Sequence, residues 1–304
     1  MLIITGLHRS GTTFLGKILE ASNHFHTIHE PLNLDYGIKG VDCWYPYFSN
    51  NIFGERPHIG DTLANLYDLK LSFKPPNTKD TDSFKEYIFR KLIKSRGNID
   101  YLKYKYSFNK KEILLKDPFL SLCSNYLINN YTDVKSIYVI RHPVAIYQSL
   151  QRMNWGFDFK NLLEQPSLFN DYLKNRDLNG LDLIDTVIEL WNLVYQVIFD
   201  QTRSMSSHKF FILKHEDLSM NPNIELENIC NFLGIPFNTE MQEFVNINMF
   251  GKVVRPKHKN QHDFNRNSKA LAYSWENNFK SEYRRIIEGT ASVRKLFNYE
   301  NQVK

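Results

Sequence analysis

A glycine-containing segment near the start of the chain, ITGLHRSGTTFLG at residues 4–16, has residue types that suit an anion. Gly6 and Gly11 enclose four residues, a short apolar run precedes them, and apolar residues at helical spacing follow them. The N-terminus of a helix offers unpaired backbone N–H groups, and glycine lets the backbone approach a ligand closely. The pattern predicts a phosphate-binding loop at a strand-to-helix turn, although a glycine turn without a ligand would have the same sequence.

The position of the cation in this loop argues against an ATP-dependent kinase. A loop that binds ATP carries lysine after its second glycine, where the ammonium group reaches the β- and γ-phosphates. Here Thr12 and Thr13 follow Gly11, and the cation is Arg9, inside the loop. A sulfuryl group carries one negative charge where a terminal phosphoryl group carries two, so fixed donors and one or two cations could support its transfer without a metal.

A second candidate anion site lies in SIYVIRHPVAIYQSLQRM, residues 136–153. The β-branched run predicts a strand that ends at Arg141, and Pro143 suits the first position of the helix that follows. Ser149 then falls about two turns into that helix. An arginine at a strand end and a hydroxyl on the next helix could converge on one phosphate. On these residues alone, a strand-capping Arg141 and a solvent-facing Ser149 are equally good interpretations.

The elements that position these residues alternate along the chain. Apolar runs such as LIIT, EILLK, KSIYVIR and KFFILK each precede a helix-like segment. This alternation predicts an α/β fold, a three-layer sandwich with a central parallel sheet. We expect one domain over residues 1–304, with insertions at about 35–110 and 155–180 that face the substrate, because ligands of parallel sheets bind beyond the carboxyl ends of the strands. A long amphipathic or buried helix is expected near residues 181–204.

These motifs together resemble those of the sulfotransferases that use 3′-phosphoadenosine 5′-phosphosulfate (PAPS). HRSGTT is similar to the family's 5′-phosphosulfate loop, and Arg141 with Ser149 resembles its 3′-phosphate motif. LLKDPF, LKHEDLSMNPNIELENICNFLGIP and RNSKALAYSW resemble further family segments, so that the likeness runs from residue 2 to about 299 outside the two insertions. The resemblance implies PAPS as cofactor, the product PAP, and these cofactor-binding residues: Arg9, Ser10, Gly11, Thr12, Thr13, Phe14, Arg141, Ser149, Arg266 and Ser268.

The catalytic base implied by the resemblance is Glu30, in HTIHEPLNL, which is similar to the Glu-Pro segment of carbohydrate-type and bacterial sulfotransferases. Proline stands at position 118, where phenol and steroid sulfotransferases carry their histidine base. We expect burial to raise the pKa of Glu30 towards neutrality, which suits a base. Asp117 is the reserve candidate and His29 a weaker one; a surface glutamate before a turn proline is the alternative interpretation of Glu30.

Two cations are expected to stabilise the transferring sulfate and the leaving phosphate, and the candidates are Arg9 and Lys116. A lysine at the end of an apolar strand is unusual in a core, although an ion pair with Asp117 or another acid would also explain it. Phe14 would lie near the nucleotide, or in the core.

Composition narrows the remaining function classes. A formal charge of +5 from 38 basic and 33 acidic residues suits an anionic ligand but not bulk nucleic-acid binding. The three cysteines have no CxxC spacing, so we expect no disulfide framework, no metal and a cytoplasmic location. No membrane span or secretory signal is readable. The acceptor, a glycan or a small natural product, and the oligomeric state stay open; a nucleotide kinase and a non-catalytic nucleotide-binding protein are the alternatives.

Overall fold

A five-stranded parallel sheet forms the centre of the computed structural model, which describes residues 1–49, 56–75, 95–249, 272–273, 275–276 and 279–299. The strands lie in the order β2-β3-β1-β4-β5, and their bounds are β1 (Leu2–Thr5), β2 (Phe25–His29), β3 (Glu112–Lys116), β4 (Lys135–Ile140) and β5 (Phe210–Lys214). The chain builds first on one side of β1 and then on the other, so the carboxyl end of β1 is the switch point at which such sheets bind ligands.

Helices connect and cover these strands. Their bounds are α1 (Thr12–Ala21), α2 (Pro57–Tyr67), α3 (Arg96–Lys105), α4 (Ser124–Asn130), α5 (Pro143–Met153), α6 (Lys160–Leu163), α7 (Pro166–Leu168), α8 (Leu183–Thr202), α9 (His215–Met220), α10 (Pro222–Leu233), α11 (Thr239–Met249), α12 (Ser281–Gly289) and α13 (Ala291–Leu296). A 3₁₀ turn at Pro118–Leu122 follows β3, and a π turn covers Phe169–Leu173. Within the described ranges, no helix is both long enough and apolar enough to span a bilayer.

The sheet is covered on both faces, which confirms the predicted three-layer arrangement. Alternate strand residues belong to two apolar clusters, with Ile3 in one and Ile4 in the other. The first cluster includes α5 and α8, and the second includes α1, α10 and α11. Both side chains are fully buried, as expected for strands covered on both sides.

Two elements differ from the sequence expectation. The strand β2, FHTIH, was not predicted, because its two histidines interrupt a run of only five residues. The segment after β3 was expected to be one helix, whereas it folds as the 3₁₀ turn followed by α4. The long helix was predicted within two residues of the bounds of α8.

Helix α8 fixes the end of β4 through two side-chain hydrogen bonds. The indole Nε1 of Trp191 donates to the carbonyl oxygen of Arg141 over 2.9 Å. The buried hydroxyl of Tyr195 donates to the carbonyl oxygen of Val139 over 3.1 Å. These contacts hold the strand end rigidly where the second candidate anion site begins.

The two segments expected to be insertions contact each other at Gln165. Its side-chain amide, which is buried, accepts from the backbone N–H of Tyr47 over 2.7 Å. Its amide nitrogen donates to the carbonyl oxygens of Trp44 and Tyr45 over 3.3 and 3.2 Å. The two segments are therefore joined beside the sheet edge that carries the candidate site.

Candidate functional site

The loop between β1 and α1 needs its two glycines for conformation and for space. The φ angles of Gly6, Arg9 and Gly11 are 143°, 71° and 102°, in the region that favours glycine. A Cβ atom on Gly6 would lie 2.2 Å from the carbonyl oxygen of Val139, and one on Gly11 would lie 2.4 Å from Nδ1 of His215. No side chain caps α1, so the first N–H groups of the helix have no capping side chain to accept from them. The predicted strand-to-helix turn is present.

Arg9, Arg141 and Ser149 meet at the carboxyl ends of β1 and β4. Arg9 Nε donates to Ser149 Oγ over 2.9 Å, which ties the loop to α5. Arg141 directly follows β4, and its Nη1 donates to the carbonyl oxygen of Arg9 over 2.9 Å. Arg9 is thus joined to Arg141, 132 positions along the chain, and to Ser149, 140 positions along the chain, in one cationic cluster. A solvent-facing Ser149 is excluded, because the side chain is buried.

The buried polar atoms near this cluster that lack a hydrogen-bond partner within the described ranges include Arg141 Nε and His215 Nδ1. Burial, together with the charge of Arg141, lowers the pKa of His215 to about 3. A buried polar group without a partner is costly, and a phosphate oxygen would supply the acceptor that Arg141 lacks. The residues at this point of the loop therefore fit an anionic cofactor.

His215 was not among the residues predicted from the sequence. It begins α9 directly after β5, just as Arg141 follows β4. The signal that could have found it is its place at the carboxyl end of a predicted strand, KFFILK, since parallel strands bring such positions to one edge.

On the other side of β1, Glu30 and Lys116 form a buried ion pair. The register of β2 on β3 sets His29 beside Lys116, so Glu30 follows at the same sheet edge. Lys116 Nζ donates to Glu30 Oε1 over 2.6 Å, and the backbone N–H of Glu30 donates to the carbonyl oxygen of Lys116 over 2.9 Å. The exposed fraction of the side chain is 3% for Lys116 and 25% for Glu30. The partner of Lys116 is Glu30 rather than Asp117.

The second carboxylate oxygen of Glu30 is also occupied. Tyr36 donates its hydroxyl to Glu30 Oε2 over 3.0 Å, and Asn33 Nδ2 donates over 3.3 Å. Burial works to raise the pKa of Glu30, but Lys116 and the three hydrogen bonds outweigh it, and the pKa lies below its usual value. The expectation of a raised pKa was wrong, because it counted burial without the lysine.

The raised pKa belongs instead to Asp117, which is fully buried. Burial and the nearby charge of Glu30 raise the pKa of Asp117 to about 7. Its two oxygens accept from the backbone N–H groups of Leu32, over 2.6 Å, and Phe119, over 2.9 Å. Asp117 therefore holds the turn that carries Glu30, and no part of its carboxylate faces an acceptor.

His29 is likewise engaged away from the loop. Its Nδ1 lies 2.7 Å from Asp100 Oδ2 on α3, and burial, opposed by that hydrogen bond, lowers the pKa of the imidazole. This contact ties β2 to α3. It explains His29 as a structural residue of the sheet edge.

Of four aromatic side chains in the segments around the loop, one is exposed and three are buried. Trp155, with 37% of its surface exposed, lies under the guanidinium of Arg9 at 5.6 Å from ring centroid to Cζ. Phe14 is buried, and its ring lies 6.3 Å from that of Phe244, which places it in the core. Tyr45 and Phe159 are also core residues.

The other residues expected to bind the cofactor divide by whether the structure describes them. Ser10 and Thr12 are buried in the loop, and Thr13 is half-buried at the start of α1. Arg266 and Ser268 lie outside the described residues.

Residues 2–239 match the model of a family described as the sulfotransferase family. The match includes the glycine loop, the Glu30–Lys116 pair and the Arg141–Ser149 segment. The chain belongs to the sulfotransferase family.

Curated relatives of this chain act on different acceptors according to their names. An omega-hydroxy-beta-dihydromenaquinone-9 sulfotransferase of Mycobacterium tuberculosis is 23% identical over 264 residues, which cover 77% of this chain and 62% of that protein. Carbohydrate sulfotransferase 1 of the mouse, Mus musculus, is 36% identical over 319 residues, which cover 90% of this chain and 72% of that protein. The chain thus spans only 62% of the length of the mycobacterial relative.

Solved structures of similar proteins include the sulfotransferase domain from the Synechococcus PCC 7002 olefin synthase. It shares 18% identity with this chain and superposes with a TM-score of 0.49, over 99% of this chain and 94% of that one.

Proposed function

We propose that the protein transfers the sulfuryl group of PAPS to a hydroxyl, or less readily an amine, of a glycan or small natural product. The observation that carries the proposal is the buried Lys116–Glu30 pair at the same sheet edge as the glycine loop and the Arg9–Ser149–Arg141 cluster. A fixed carboxylate beside an anion-binding loop supplies the two parts that sulfuryl transfer needs, a proton acceptor and a charge-stabilising cradle.

Each part of the site has a proposed role. PAPS, when bound, supplies a sulfuryl group attached to a good phosphate leaving group. Arg9 and the N-terminus of α1 hold the 5′-phosphosulfate, while Arg141 and Ser149 hold the 3′-phosphate. Glu30 takes the proton of the acceptor as the acceptor oxygen bonds to sulfur and the bond from sulfur to the phosphate oxygen breaks. Lys116 keeps Glu30 ionised and in place.

We further propose that the transfer requires no metal. The charge on the departing phosphate is balanced by Arg9, by Lys116 and by the unpaired N–H groups of α1. The competing function, a nucleotide kinase, would need a lysine at position 12, where this chain has Thr12.

The test is transfer of radiolabelled sulfate from PAPS, in the presence of a chelator, to a panel of oligosaccharides, phenols, long-chain alcohols and amino metabolites. The proposal predicts labelled product in at least one arm and no loss of rate with the chelator. Hydrolysis of magnesium ATP, with no sulfate transfer, would support the kinase instead. Binding of PAP without transfer to any acceptor would support a non-catalytic protein.

A further inference from the structure

His8, one of the four residues between the two loop glycines, makes an unusual pair of contacts with Tyr45. The backbone N–H of His8 donates to the hydroxyl oxygen of Tyr45 over 3.1 Å, and His8 Nδ1 lies 2.6 Å from the same oxygen. Tyr45 is fully buried, in the segment that follows the Glu30 turn. The phenol therefore fixes both the backbone and the imidazole of one loop residue.

These contacts determine which imidazole nitrogen carries the proton. In the described part of the chain, the Tyr45 hydroxyl meets only His8, and it already accepts from the backbone N–H. Its own proton needs an acceptor, because a buried hydroxyl without one is costly. His8 Nδ1 is that acceptor, so the proton of the neutral imidazole lies on Nε2.

His8 lies three positions after the end of β1 and directly before Arg9, and the register of β1 on β3 sets Ile4 beside Lys116, the partner of Glu30. The pKa of His8 is lowered to about 4, chiefly by burial and then by Arg9. The ring stacks on Phe157 with centroids 6.2 Å apart. Nε2 has no hydrogen-bond partner among the described residues, and the side chain is only half-buried. An N–H donor is thus held at the rim of the site.

We propose that His8 donates a hydrogen bond from Nε2 to the acceptor oxygen and so holds the acceptor between Glu30 and the sulfuryl group. The proposal rests on the proposed function. His8 keeps its proton throughout the reaction, and Glu30 receives the proton of the acceptor. Tyr45 is the positioning residue, because it fixes the tautomer and the orientation of the ring without touching the acceptor.

Three substitutions test this role by steady-state kinetics with PAPS and the best acceptor of the panel. His8→Ala removes the donor, and kcat/KM for the acceptor should fall about 10²–10³-fold, as for the loss of one fixed donor. His8→Gln carries an amide N–H close to the place of Nε2 and should recover most of the loss. Tyr45→Phe should give an intermediate loss. His208→Gln and Tyr47→Phe, on residues outside the site, are matched controls that should behave as the wild type.

The affinity for PAP and the thermal stability separate this role from a structural one. The affinity for PAP should stay unchanged in all three variants, because His8 acts on the acceptor. If His8→Ala lost PAP binding or unfolded, the tautomer of His8 in the wild-type protein would test the proposal instead. The ¹⁵N shifts of His8 should show a protonated Nε2 and a bare Nδ1, and Tyr45→Phe should mix the two forms.

Three results would overturn the inference: a bare Nε2 in the wild type, full activity in His8→Ala, or no rescue by His8→Gln. Each leaves sulfate transfer by the wild type intact. An absence of transfer by the wild type would instead overturn the proposed function, and the two failures are therefore distinguishable.

Discussion

The two halves of the site, on either side of β1, differ in how completely they satisfy their own polar groups. The cofactor half consists of the glycine loop, the Arg9–Ser149–Arg141 cluster and His215. In this half, Arg141 Nε and His215 Nδ1 are buried and have no partner within the described ranges. The acceptor half lies around Glu30, Lys116 and Asp117. In this half, both oxygens of each carboxylate accept hydrogen bonds from within the chain.

This difference indicates two kinds of preorganisation. The cofactor half has buried polar atoms that lack partners among the described residues, so an anionic ligand would satisfy a donor such as Arg141 Nε. The two carboxylates of the acceptor half already have partners within the chain, so the acceptor competes with Tyr36, Asn33 or Lys116 for the Glu30 carboxylate. We expect substitutions in the two halves to affect different quantities, PAP affinity in the first and turnover in the second.

The largest expected effect is a loss of turnover without a loss of PAP affinity, on substitution of Glu30. Glu30→Gln should lower kcat about 10²–10⁴-fold, the usual contribution of a general base. The affinity for PAP, measured by calorimetry, should change little, because Glu30 lies on the acceptor half. Glu20→Gln, on a partly exposed residue paired with Lys17, is the matched control. Unchanged turnover in Glu30→Gln would remove Glu30 from the mechanism.

Arg141→Lys should produce the reverse pattern. Lysine keeps the charge but loses the planar set of donors, and a hydrogen bond to a charged group is worth about 1.5–3 kcal/mol, or about 10–100-fold in affinity. PAP should therefore bind more weakly, while kcat at saturating PAPS should change much less. Arg203→Lys, at the exposed end of α8, controls for the substitution itself. Equal loss of kcat and affinity would show that the two halves do not act separately.

The pH dependence of stability tests whether the cofactor half is closed to water. His215 has a pKa lowered from 6.5 to about 3, so unfolding takes up a proton below pH 6.5. Its contribution is present above pH 6.5 and is lost as the pH falls towards 3, about 2 kcal/mol at pH 5. Between pH 7.5 and 5, the free energy of unfolding should therefore fall about 2 kcal/mol more in the wild type than in His215→Gln.

The measurement is urea denaturation without nucleotide at the two pH values. His208→Gln, on an exposed residue, should keep the wild-type pH dependence. If His215→Gln also keeps the wild-type pH dependence, His215 is in contact with water in the folded protein, and the cofactor half is not closed to solvent.

The smallest effect is expected at the boundary between the halves. Trp155→Ala removes the ring beneath the guanidinium of Arg9, a contact worth about 0.5–1 kcal/mol at an exposed site. The KM for PAPS should rise about 2–5-fold, and Trp155→Phe should restore part of the loss. A large fall in kcat instead would place Trp155 on the acceptor half.

Most of the fold could be predicted from the sequence, because apolar runs and helical spacing are local signals. LIIT, EILLK and KSIYVIR are such runs, and each is a strand of the sheet. Strand β2 could not be found in this way, since its identity depends on pairing with β3, nearly ninety positions along the chain. Its histidines are tolerated because neighbouring elements, such as Asp100 on α3, supply their partners.

Spacing and resemblance assigned Arg9, Arg141 and Ser149 to one cofactor, but they did not predict the direct contacts of Arg9 with Ser149 and Arg141. The electrostatics of the acidic residues could not be predicted either. Burial works to raise the pKa of Glu30 but its pairing with Lys116 lowers it, whereas burial and the charge of Glu30 raise the pKa of Asp117. The pairing and the burial depend on the tertiary structure and cannot be read from the sequence. The Tyr45–His8 pair could not be predicted either, because it joins residues 37 positions apart in the chain.

The backbone of Glu30 has a consequence for protein engineering. Its φ of 45° is uncommon for a residue with a side chain and is further disfavoured before Pro31, at a cost of about 1–3 kcal/mol. Glycine or asparagine would relieve that strain but would leave the buried ammonium of Lys116 without its partner, and the loss of one member of a buried ion pair costs about 3–5 kcal/mol. A library screened only for heat resistance should therefore keep glutamate at position 30 unless position 116 changes with it. At this position, selection for heat resistance and selection for activity favour the same side chain.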